Sequence, residues 1–97
     1  MCGAPVQDLS LEGIDVATET IIQGTVTRGG QPESGAYVRL LDATDEFTAE
    51  VVTSPEGEFR FFAAPGTWKL RSLAPVGKGE RQISADVGLN ETTVAIA

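Results

Sequence analysis

From Glu19 onward, apolar residues recur at every second position in short runs, and each run is broken by glycine or proline. A side-chain period of two belongs to extended strands with one face buried and one face wet. "ETIIQGTVTRGG" puts Ile22, Gly24 and Val26 on one face. "AYVRLLD" puts Ala36, Val38 and Leu40 on one face, with Tyr37, Arg39 and Leu41 on the other. "FTAEVVTS" follows, and then "PEGE", where Pro55 and Gly57 are placed for a type I or II turn. "EFRFFA" sets Phe59 and Phe61 together, "APG" turns, and "TWKLRSLA" sets Trp68 and Leu70 against Lys69 and Arg71. "RQISADV" and "TTVAIA" close the pattern, with Ile83, Ala85, Val87, Val94 and Ile96 expected inside. About seven short strands with regular turn signals predict an all-β, single antiparallel sandwich over residues 19–97. No segment longer than a turn or two reads as a helix.

Residues 1–18, "MCGAPVQDLSLEGIDVAT", keep neither period. They read as an extended N-terminal arm ahead of the sandwich. A length of 97 residues suits one core, and 41% hydrophobic content is enough to fold it.

Charge and missing residue types narrow the function. The formal net charge is -7, which disfavours nucleic acid and anionic membrane surfaces. No run of about 18 apolar residues occurs, and the start has neither a basic n-region nor an apolar h-region, so the expected compartment is the cytoplasm. Histidine is absent and cysteine occurs once, at Cys2. Serine–histidine and cysteine–histidine catalysis, a Cys/His zinc site and an internal disulfide are therefore excluded within one chain. The common Gly-rich phosphate motifs are also missing. No cofactor and no enzyme activity are expected.

The order of features resembles a known family. Ile22-x-Gly24-x-Val26 is followed by Gly35-Ala36-x-Val38-x-Leu40, then by Thr53 and Gly57-x-Phe59-x-Phe61, and then by Pro65-Gly66-x-Trp68-x-Leu70. This series resembles the carboxypeptidase regulatory-like domains and implies a transthyretin-like sandwich over residues 20–97. Trp68 departs from that pattern, where tyrosine is more usual. "MCGAP", "VRLLDATDEFTAEVV" and "GEFRFFAAPGTW" further resemble a small actinobacterial family of unknown function. Genes of that family often neighbour a thiosulfate sulfurtransferase. The resemblance thus implies a link to sulfur metabolism and a rhodanese-like protein partner.

Three constellations carry possible chemistry. The first is Cys2. If Met1 is removed, a free α-ammonium stands beside the thiol and favours the reactive thiolate. The plain reading is an inert small residue. The second follows from alternation: Tyr37, Arg39, Leu41, Arg60, Phe62, Lys69 and Arg71 are expected outward on three strands of one sheet. They would form a basic, aromatic face able to meet an acidic partner or an anion. The plain reading is a solvated face laced by salt bridges, with Glu50 or Glu58 as acceptors. The third is the carboxylate run Asp42, Asp45, Glu46 and Glu50, which lacks EF-hand spacing and reads as a solvated loop. "NET" at Asn90 matches a glycosylation sequon, which carries no meaning in the cytoplasm. Two functions remain. One is an accessory protein in sulfur transfer that acts through Cys2. The other is an interaction module that binds a protein through its outer sheet face or an edge strand.

Overall fold

The computed structural model describes residues 14–97, and these form two four-stranded sheets facing each other. The strands are β1 (Thr20–Arg28), β2 (Gln31–Pro32), β3 (Tyr37–Leu41), β4 (Phe47–Val52), β5 (Glu58–Phe62), β6 (Gly66–Ala74), β7 (Gly77–Ala85) and β8 (Gly88–Ile96). No α-helix occurs among the described residues. The expected all-β sandwich is present, with eight strands rather than about seven. The addition is β2, two residues paired to the end of β1, too short to leave a period in the sequence.

One sheet runs β4-β3-β6-β7, with every pair antiparallel. In the other, β1 lies between β8 on one side and β5 and β2 on the other. The β1–β8 pair is parallel and in register over nine residues, from Thr20↔Gly88 to Arg28↔Ile96. It is the one parallel pair in the otherwise antiparallel sandwich among the described residues. Parallel neighbours need a long crossover, and the whole opposite sheet lies in the chain between β1 and β8.

The inward residues follow the period of two. Ile22 and Val26 of β1, Val38 and Leu40 of β3, Phe59 and Phe61 of β5, Leu70 of β6, and Val94 and Ile96 of β8 build one core cluster. The Phe59 and Phe61 rings lie 6.1 Å apart and tilted by 53°, within the range favoured by aromatic pairs. Trp68 packs on the margin of the core and donates its indole N–H to the Ala64 carbonyl at 2.8 Å. That bond satisfies the polar edge of the indole ring.

Two expected positions are corrected. Val87 is half exposed rather than inside, because it falls in the turn before Gly88, which has φ 103. Leu41 keeps its outward register opposite Lys69 but is buried rather than exposed, outside the core cluster, at the point where the β3–β4 register shifts.

The turns are built as their residues dictate. Ser54–Gly57 closes with the Gly57 N–H on the Ser54 carbonyl at 2.8 Å, and Gly57 takes φ 75, a conformation that costs glycine little. The Ser54 hydroxyl accepts the N–H groups of Glu56 and Glu58 and so ties the turn to the start of β5. At the other end of the molecule, the Asn90 side chain donates to the carbonyls of Ile21, Asp86 and Gly88 and accepts from the Asp86 N–H. Asn90 thereby clamps the start of β8 onto β1.

Candidate functional site

Cys2 lies outside the described residues. The site that can be built is the outer face of the β4-β3-β6-β7 sheet. Antiparallel register places Glu50, Arg39, Arg71 and Glu80 directly across four neighbouring strands. Partners in register project from the same face, so these four side chains form one row across the sheet. Arg39 Nε donates to Glu50 Oε2 at 2.7 Å, and Arg71 donates through Nε and Nη2 to Glu80 Oε2 at 2.6 Å. The two guanidiniums sit side by side at the centre, each held from its outer flank by a carboxylate.

The neighbouring rows complete the face. On one side Tyr37 pairs with Leu73, and Leu73 pairs with Lys78. Tyr37 and Lys78 are exposed there and Leu73 is half-buried. Arg71, Leu73, Lys78, Gly79 and Glu80 line a shallow groove of about 520 Å³. On the other side Lys69 meets Asp45 at 2.6 Å. A second depression of about 370 Å³ there is lined by Asp42, Asp45, Trp68, Lys69 and Gln82, among others.

Of the residues expected to share one face, Tyr37, Arg39, Lys69 and Arg71 do so. Arg60 and Phe62 do not. They sit on β5, in the opposite sheet, and point outward from the far side of the molecule. Alternation along a strand gives the face of each residue but not the sheet to which the strand belongs. Arg60 is also buried rather than exposed, and its Nε donates to Gln23 Oε1 at 3.0 Å. Phe62 remains exposed. The expected basic patch is thus a row of two cations and two anions with no net charge. Glu50 is the acceptor anticipated for a solvated ladder, whereas Glu58 lies on β5 in the other sheet. Sequence reasoning did not single out Glu80, because its place opposite Arg71 depends on the β6–β7 register.

The carboxylate run is dispersed. The Asp42 carboxylate accepts the Thr44 hydroxyl at 2.6 Å, the Thr44 N–H at 2.8 Å and the Glu46 N–H at 3.0 Å. Asp45 and Glu50 are engaged by Lys69 and Arg39. Among the described residues, no group of three His, Cys, Asp or Glu side chains is placed to hold an ion.

The Thr44 hydroxyl, and then the N–H groups of Glu46 and Thr44, hold the Asp42 carboxyl below its usual 3.8. A carboxyl held low in the fold stabilises fully above its unfolded value, and the contribution fades as pH falls through the lowered one. Asp42→Ala is therefore expected to melt below the parent at neutral pH. The gap should narrow steadily once pH drops below 3.8. Parallel melts from neutral to strongly acid pH measure it, and a gap independent of pH would remove Asp42 from the account.

A family model described as a protein of unknown function, DUF1416, matches residues 2–96. The chain belongs to the DUF1416 family. Relatives of this DUF1416 protein include two uncharacterized proteins of Mycobacterium tuberculosis H37Rv, each 50% identical over 99 residues and covering 99% of both chains. An uncharacterized protein of Mycolicibacterium smegmatis is 52% identical over 87 residues, covering 88% of this chain and 97% of its own. The actinobacterial setting read from the sequence agrees with these relatives.

Among solved structures, a DUF3823 family protein from Parabacteroides merdae superposes with a TM-score of 0.67 at 17% identity, over 84% of this chain and 47% of that one. S.CueP gives 0.64 at 11% identity, over 82% and 64%. Catechol 1,2-dioxygenase from Pseudomonas arvilla gives 0.58 at 16% identity, over 98% and 59%. The DUF1416 chain spans about half the length of the first of these. At such identities the likeness is one of fold alone.

Proposed function

We propose that this DUF1416 protein is a non-catalytic accessory of the cytoplasm that docks a protein partner on the outer face of β4-β3-β6-β7. The observation that carries this reading is the central row Glu50–Arg39–Arg71–Glu80 beside exposed Tyr37 and the groove at Leu73 and Gly79. Arginine and tyrosine on a flat sheet, with an apolar notch between charged rims, is a composition suited to protein recognition. A row that is already internally paired gives register and specificity more than attraction, so a protein surface suits it better than a small anion does.

The partner in this reading is a sulfurtransferase, and Cys2 is the group it loads. The Cys2 thiolate attacks the outer sulfur of the donor's cysteine persulfide. The donor S–S bond breaks, the donor leaves as a thiolate, and Cys2 carries the persulfide. No external oxidant enters, because the sulfane sulfur moves between two thiols. The family resemblance and the small residues around Cys2 support this step.

The test is intact mass after incubation of the full chain with a sulfurtransferase pre-loaded from thiosulfate. Gain of one sulfur atom, reversed by a reducing agent and absent in Cys2→Ser, is the expected result. Loading of Cys2→Ser to the parent level would sink the sulfur step. Tyr37→Ser with Leu73→Ser is expected to slow loading at least tenfold at limiting donor, and an unchanged rate would move docking away from this face.

A further inference from the structure

The sheet β4-β3-β6-β7 ends on two edge strands, and the two are finished differently. At β7, the Lys78 N–H meets the Ala97 carbonyl at 3.3 Å and the Ala97 N–H meets the Lys78 carbonyl at 3.1 Å, so the chain beyond β8 closes onto that edge. Arg81 adds a charge on the inner side of β7, in register with buried Leu70. A covered backbone and an inward charge both discourage a further strand.

β4 has neither device. Among the described residues, β3 is its only ladder partner. The Thr53 N–H meets the Ala36 carbonyl at 2.9 Å, one step beyond the Tyr37↔Val52 pair. Backbone groups alternate in direction along an antiparallel strand. Val51 and Ala49 therefore also turn their N–H and C=O groups to β3, and Glu50 and Val52 turn theirs to the open side. No lysine or proline stands in the strand. Its inward side chains are already seated, with Val51 buried and Ala49 packed against the core. The register shift lies at the Phe47 end, which leaves the stretch from Ala49 to Val52 regular.

Charge says what fits there. Residues 42–59 contain six carboxylates and no lysine or arginine. Lys69 holds Asp45, and Arg39 holds Glu50. Glu46 before β4, and Glu56 and Glu58 beyond its end, have no ion pair among the described residues. The open edge is thus acidic at both ends. A second copy of this chain would bring the same carboxylates against each other, and like charges across a ladder are destabilising.

We infer that β4 takes an extended basic segment of a partner protein as a fifth strand of this sheet. Main-chain bonds to Glu50 and Val52 hold the segment, and its alternate side chains set the choice. The outward side chain beside Glu50 is a lysine or arginine, which continues the row Glu80–Arg71–Arg39–Glu50 with the sign that Glu50 favours. The inward side chains beside Val51 and Ala49 are apolar and prolong the core. Further cations at the ends of the segment meet Glu46 and Glu56. This edge is distinct from the groove at Leu73 and Gly79.

The probe is a short peptide of alternating valine and lysine, blocked at both termini, with a valine–glutamate peptide as the control. Amide hydrogen exchange of the full chain is read by NMR. At saturating valine–lysine peptide, exchange at Glu50 and Val52 is expected to slow on the order of tenfold, and the control is expected to do nothing. Protection centred on Glu80 and Gln82, equal action of both peptides, or no protection by either would overturn the inference. So would a chain that sediments as a dimer with Glu50 and Val52 already protected, because a second copy would then hold the edge. Val52→Pro removes a donor that faces away from β3, where an edge strand accepts proline, and is expected to abolish protection at Glu50. Should that variant fail to fold, Glu46→Gln with Glu56→Gln changes only exposed side chains. It is expected to weaken peptide binding several-fold, and unchanged binding would refute the choice of a basic segment. No readout depends on Cys2 or on sulfur loading, so failure here leaves the proposed function standing, and the reverse also holds.

Discussion

Gly24→Ala is expected to unfold the sandwich, or to lower its stability by more than about 3 kcal/mol, beyond the usual cost of overpacking. Gly24 sits in the middle of β1, opposite Thr92 of β8 and Phe59 of β5. A methyl group added there would overlap the Thr92 carbonyl oxygen and press on the Phe59 ring. The ring could turn aside, but the carbonyl belongs to the parallel ladder and cannot yield without parting β1 from β8. A loss of that size in a domain of this length lowers the melting temperature by roughly 12 °C or more. Gly30→Ala is the comparison: nothing lies within 4 Å of its added carbon, so its cost comes from φ 82 alone. Thermal melts followed by circular dichroism decide the matter. A Gly24→Ala chain melting within a few degrees of the parent would show that β8 can shift, and the rigidity of the nine-residue parallel pair would have to be given up.

The second large effect is expected at Thr53. Its side chain is buried and joins two stretches of backbone. Thr53 Oγ1 accepts the Ala36 N–H at 2.9 Å and donates to the Glu33 carbonyl at 2.7 Å. The Thr53 N–H meets the Ala36 carbonyl at 2.9 Å. One hydroxyl therefore fixes the bend that turns the chain from β2 into β3. Thr53→Val keeps the shape and removes both side-chain bonds. A buried group left without its partner costs about 1–3 kcal/mol, and the Glu33 carbonyl is only partly buried, so a loss of about 2–4 kcal/mol, below the sum of two full penalties, follows. Thr53→Ser retains the hydroxyl and should recover most of it. Urea titration should show a lower midpoint for Thr53→Val with an unchanged slope. A valine variant within about 0.5 kcal/mol of the parent, the range of an ordinary surface change, would remove Thr53 from the structural argument.

These two residues also show what could be read in advance. Gly24 and Thr53 both stand in stretches whose period and turn signals were legible in the sequence. What each one touches emerges only when distant segments meet. Strand faces were legible because a period of two is local, and Val38, Leu40, Phe59, Leu70 and Val94 are all inside as expected. Sheet membership was not legible, because β5 has the same alternation whether it pairs with β1 or with β3. Arg60 and Phe62 were for that reason grouped with Arg39 and Arg71, across the thickness of the sandwich from where they lie. Leu41 failed for a different reason: alternation sets its face, opposite Lys69, but not what covers that face, and it is buried there outside the core cluster. Glu80 was missed because a glutamate in "VGKGERQ" looks solvated until the register sets it opposite Arg71.

The parallel union of β1 with β8 has a kinetic side. Gln23 and Glu91 stand 68 positions apart in the chain, and almost every pairing that buries β1 on that edge spans a comparable distance. Contacts of such range raise contact order and slow the search for the native state, because the loop must close before any bond rewards it. During synthesis, β1 is made early and its long edge waits for a neighbour until β8 has left the ribosome. An apolar strand with an unsatisfied edge is a template for the wrong partner. Gly79 and Gly77 of β7, whose missing side chains let the backbone at Ala95 and Ala97 come close, ease the last step by letting the final strand settle against its neighbour without displacing anything. Closure of this edge of β1 thus waits on β8, and the chance of a wrong pairing grows with that wait.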